Sequence, residues 1–174
     1  MNKFLLTISI ILFGTVVFAS ETVFSHPATS KIIAAQMPKL HDASCQFTQQ
    51  KNINGAVLNS GGNFKFVSDK GAIFETTYPI KSTVSYTSGQ NKQINDVILA
   101  VSNKNYGYLD KNFNLFFLPE AGGDWTIGLQ PKKSSVVHGQ LNSIVIYGGK
   151  DIKRIKISTV KNGTTDISFK CGTN

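Results

Sequence analysis

The side chains from which an acid–base or metal site would be built are few in this 174-residue chain: three histidines, ten Asp and Glu, and two cysteines. His26, His41 and His138 stand at no metal-ligand spacing with one another or with a cysteine, so no metal site is nominated. Ser134-Ser135 lies near His138, yet no Gly-x-Ser-x-Gly elbow exists to expose a nucleophile. The carboxylates are dispersed and offer no pair for glycoside hydrolysis. Ser60-Gly61-Gly62 falls between strand-like runs, where glycine serves a turn rather than a phosphate. The expectation is a protein without catalytic residues or cofactor.

Cys45 and Cys171 lie near the two ends of the part that folds. An even count in an oxidising compartment points to a bridge between them. Two buried thiols are the other reading.

The compartment is read from the front. Lys3 precedes an apolar run from Phe4 to Phe18, and Val17-Phe18-Ala19 places small residues where a signal peptidase needs them. Residues 1–19 are therefore expected to be a cleavable signal peptide, and residues 20–174 a single folded domain. The run is short for a membrane span, which needs roughly 20 apolar residues. No cysteine adjoins the cleavage site to carry a lipid anchor. The formal net charge is +8, and loss of Lys3 leaves +7. Export sets nucleic acid aside as a partner. The scattered lysines read as a solvated face, with clusters only at Lys132-Lys133 and at 150–156.

Between the cysteines the apolar pattern has mainly period two. Residues 29–44 begin as a helix, with Ile32, Ile33, Met37 and Leu40 at helical spacing, Thr29 or Ser30 as cap, and Pro38 as a kink or early end. From Cys45 onward Phe47, Gln49 and Lys51 share a strand face. Asn54-Gly55 is a hairpin turn, because both positions favour positive φ. Strands follow at 63–67, 72–78 and 82–87, punctuated by Asp69-Lys70-Gly71 and Pro79. Ile94, Val97, Ile98 and Val101 predict a helix over 94–103, and Tyr106 to Asp110 a second short one. Strands return at 114–118, 125–129, 141–148, 152–160 and 164–170, with 132–138 a connection and Asn162-Gly163 the last turn. Asn162-Gly163-Thr164 also matches a glycosylation sequon, but the turn explains the dipeptide. The fold class expected is mainly β: one antiparallel sheet with a few helices, which must bury one face either by curling on itself or by taking helices across its concave side.

Phe47-Thr48-Gln49-Gln50-Lys51, the glycine-led Ser60 to Phe66 strand, the Gly71, Phe74 and Pro79 series with Gly89 after it, and Trp125 to Pro131 stand in an order that resembles the outer-membrane lipoprotein carrier family, LolA and its relatives. The resemblance spans about Ser30 to Phe169. It implies a strongly curved antiparallel sheet, an incomplete β-barrel, with a helical lid. It further implies acyl chains of a lipoprotein or other lipid held in an apolar cavity. Delivery would run through the periplasm by a monomer, from an inner-membrane exporter to an outer-membrane receptor. The cavity and lid candidates are Phe47, Phe64, Phe66, Phe74, Tyr86, Ile94, Ile98, Val101, Phe116 and Trp125. Two departures stand out. Phe74 occupies a position where the family commonly has tryptophan. The arginine that helps hold the family's lid shut has no counterpart nearby, since the sole arginine is Arg154; Lys65 or Lys70 cannot copy a guanidinium fork. The other reading is a binding or scaffold module with the same sheet and a filled core.

Overall fold

The computed structural model describes residues 23–67, 70–85, 92–103, 105–161 and 163–172. The expected signal peptide and Tyr86 lie outside these residues, as do the side chain of Ile94 and the residue Asn162. The strands are β1 (Pro27–Ala28), β2 (Ala43–Ile53), β3 (Ala56–Val67), β4 (Gly71–Tyr78), β5 (Ser82–Ser85), β6 (Phe113–Pro119), β7 (Trp125–Pro131), β8 (Leu141–Gly148), β9 (Ile152–Thr159) and β10 (Thr164–Cys171). The helices are α1 (Ser30–Gln36), α2 (Lys92–Ser102) and α3 (Tyr106–Asn112). A single helical turn, Val23–Ser25, opens the described chain.

All ten strands form one antiparallel sheet in the order β1-β6-β7-β8-β9-β10-β2-β3-β4-β5. Its ends, β1 and β5, are not paired with each other, so the sheet is open and is not a β-barrel. Helices close the gap instead. α2 lies on β4, near one end of the sheet, α3 lies on β6, near the other, and the two helices touch. Eight strands from β6 to β4 would span roughly 34 Å if flat, at about 4.8 Å per pair. Two helices side by side cover about 20 Å. The sheet must therefore curl for its ends to share one helical layer.

Local chemistry sets these elements. The Thr29 hydroxyl accepts from Ile32 N at 3.3 Å and caps α1. That helix stops at Gln36, because Met37 precedes Pro38 and takes extended backbone. It is thus shorter than the periodicity over 29–44 predicted. Asn54 and Gly55 have φ of 52° and 87°, the two-residue turn their sequence implies. Ser60-Gly61-Gly62 does not break its strand. β3 runs straight through it, and the register against β4 shifts between Gly61 and Gly62. A Cβ on Gly62 would stand 2.0 Å from the Glu75 carbonyl oxygen, so glycine permits that close passage. β1 is too short to have left a period in the sequence.

The core lies between the concave sheet face and the helices. Strand alternation sends Phe47, Phe64, Phe66, Phe74, Leu115, Phe117, Ile127, Leu129, Ile144, Ile146, Ile155 and Ile167 inward, all buried. Val97, Ile98 and Val101 of α2 and Leu109 of α3 complete it from above. Cys45 and Cys171 are direct cross-strand partners on β2 and β10, and they form a disulfide.

Candidate functional site

The concave face is built around interlocking phenylalanines. The ring centroid of Phe74 lies 4.9 Å from that of Phe47 and 4.7 Å from that of Phe64, both edge to face. Phe169 of β10 joins at 4.5 Å from Phe64. Register explains the cluster: Phe64 sits opposite Phe74 on β4 and Cys45 on β2, and Phe47 sits opposite Phe169. Edge-to-face pairs of this kind add about 1 kcal/mol each beyond area burial.

Trp125 lies at the other side of the curl. Its ring covers Gly148, where a Cβ would come within 2.2 Å of the indole, and its Nε1 donates to the Gly149 carbonyl at 3.0 Å. Ile98 and Val101 reach the core from α2. Phe66 is buried near the disulfide end. At the α2–α3 seam, burial pushes the Tyr108 hydroxyl above its ordinary range, and the nearby Asp96 carboxylate adds to the effect.

Phe116 faces the other way. It alternates with Leu115 and Phe117, lies opposite Gly128, and packs edge to face with Phe24 at 5.3 Å on the outer side of the sheet. Val23 and Phe24 occupy the space a side chain at position 128 would need, with Val23 Cγ1 2.8 Å from a Cβ built there. Sequence reading passed over the inward residues of this strand, Phe113, Leu115 and Phe117. Polar Asn114, two residues before Phe116, was the signal that the even-numbered set faces out.

The gap beside Phe64, Phe66 and the disulfide measures about 10 Å³. Larger depressions are open and lie outside: about 620 Å³ between Lys65 and Lys170, and about 510 Å³ beside Arg154. Arg154 is engaged there, donating through Nε to Asp166 Oδ1 at 2.7 Å. This pairing holds the Asp166 carboxyl below the usual carboxylate range.

The serine–histidine neighbourhood is structural. Ser135 Oγ donates to Asn112 Oδ1 at 3.2 Å and accepts from Val137 N, which ties the 132–140 connection to the end of α3. No group of three or more His, Cys, Asp and Glu is placed to hold a metal among the described residues. No described helix is long and apolar enough to cross a membrane.

By sequence, neither a protein-family model nor a curated protein matches the chain. By structure it is similar to a LolA superfamily protein from Nitrosomonas europaea, with a TM-score of 0.42 and 8% identity, over 84% of this chain and 95% of that one. It is also similar to a DUF1329 family protein from Desulfovibrio piger, with a TM-score of 0.36 and 11% identity, over 81% and 88%. Likeness at this level says nothing of cargo.

Proposed function

We propose that the chain is a periplasmic carrier that takes acyl chains of a lipoprotein or another lipid against the concave sheet face and moves them toward the outer membrane. The observation behind this reading is the way the curled sheet is closed. Its aromatic inner face is covered by α2 and α3, which bridge the sheet ends by side-chain packing instead of a strand ladder. Such a cover can lift without breaking backbone hydrogen bonds of the sheet. A chain of a dozen methylenes gains about 10 kcal/mol on full burial. Displacing helices that are already packed lowers that gain, which suits a protein that must release its load. An inner-membrane exporter would be the donor and an outer-membrane receptor the acceptor, with the carrier a monomer between them.

The small gap beside Phe64 favours a second reading, a module with a filled core that works through protein contacts. Organic extraction of purified protein separates the two. The carrier reading expects acyl-containing lipid in the extract, or saturable binding of a fluorescent fatty acid by the emptied protein. No lipid and no probe binding would sink it in favour of the filled module.

A further inference from the structure

We infer that one end of the sheet is a docking surface for an anionic lipid bilayer. Four chain connections face it. Pairing of Asn52 with both Thr164 and Val57 sets the 54–55 turn beside the 160–163 turn. The hydrogen bond from Val160 N to the Gln140 carbonyl attaches the 132–140 connection to them. Pairing of Gly61 with Tyr78 and of Thr76 with Ser82 turns residues 79–81 toward the same end, set back along β3 from the 54–55 turn.

Of nine large apolar or aromatic side chains exposed among the described residues, seven stand at this end, and only Ile32 and Ile73 lie elsewhere. Val136 is 83% exposed, Ile80 75%, Tyr78 62% and Leu58 58%, with Val57, Ile53 and Val160 beside them. Single exposed apolar residues are ordinary, but a group gathered on projecting turns is not. The β2–β3 hairpin projects furthest. Residues 56–60 run past the β3–β4 ladder, which ends at Gly61 and Tyr78, by roughly 16 Å at about 3.3 Å per residue.

Charge selects the occupant. These connections carry Lys81, Lys132, Lys133 and Lys161, and none of the four holds an Asp or Glu. Lys132 Nζ donates to the Asp110 backbone carbonyl, and Asp166, on the strand after the 160–163 turn, is paired with Arg154. The opposite end is mixed, with Asp42, Glu120, Asp124 and Asp151 in its connections and Asp124 paired with Lys153 at 2.6 Å. Apolar tips ringed by lysine match a bilayer with anionic headgroups, into which the tips insert while the ammonium groups stay at the surface. This inference does not depend on lipid being held in the core.

Flotation of the purified protein tests it, with vesicles of phosphatidylethanolamine and phosphatidylglycerol set against vesicles of phosphatidylcholine alone. Binding to the anionic vesicles is expected, weakening at high salt. The L58S/I80S double variant should lose about tenfold in partition. The K81Q/K133Q/K161Q triple variant should lose roughly 100-fold on anionic vesicles. All five positions are exposed, so the unfolding temperature should stay that of the wild type. The inference is overturned if the wild type floats with neither vesicle, if both variants float as it does, or if K39Q/K150Q at the opposite end weakens binding as much as the triple variant.

Discussion

Single residues in this fold act mainly through contact geometry. Phe74 touches Phe47 and Phe64 at once, so Phe74→Ala removes two edge-to-face pairs and leaves a cavity where β4 meets α2. Chemical denaturation should show a loss of about 3–5 kcal/mol, and fatty-acid probe binding should change with it if the concavity receives cargo. Asp166 gives a pH signature. Its folded-state pKa lies below the ordinary 3.8, chiefly through the hydrogen bond from Arg154. A depressed carboxyl adds stability that is complete above the unfolded value and lost as pH falls through the folded one. Stability of the wild type should therefore fall more steeply below pH 3.8 than that of D166N, as read from thermal unfolding across an acid series. Both partners are partly exposed, so solvent screening keeps the effect small. What made Phe74 legible in the sequence was its place in the Gly71, Phe74 and Pro79 series. What hid the direction of Phe116 was the run Phe116-Phe117, in which adjacent aromatics point to opposite faces.

Elements were easiest to read where a local conformation is forced. Asn54-Gly55, Pro79 and the Ile94 to Val101 period each mark a turn, a strand end or a helix by chemistry carried within a few residues. Longer-range context altered the rest. Ser60-Gly61-Gly62 reads as a break, yet the ladders on both sides keep β3 extended, and glycine serves there for close approach to β4. Gly62→Ala should push β3 from β4 at the Glu75 carbonyl and lower the unfolding temperature by several degrees, whereas Gly55→Ala meets no atom within 4 Å and acts through its φ alone. Thr29→Ala should cost about 1 kcal/mol through the lost cap of α1. Hydrogen exchange would show that loss first in α1, before any change in the sheet.

At the scale of the whole molecule the disulfide joins β2 to β10, across 126 residues of sequence. In the chain-entropy model a loop that long contributes about 5 kcal/mol. Reduction, or the C45S/C171S variant, should therefore lower the denaturant midpoint markedly with no change in secondary structure by circular dichroism. The sequence by itself determined the mainly β fold class, most strands and turns and the places where helices begin, because each depends on short-range periodicity or on backbone preference. Only the tertiary structure decided that the sheet stays open, that α2 and α3 bridge its ends, and that Phe47, Phe64, Phe74 and Phe169 interlock. Those outcomes depend on the accumulated curl of ten strands and on which strands lie at the ends. Only the tertiary structure, likewise, gathered Leu58, Ile80, Val136 and Val160 with four lysines at one end. In the sequence they are isolated residues up to about a hundred positions apart, and strand direction in the antiparallel sheet turns them to one end.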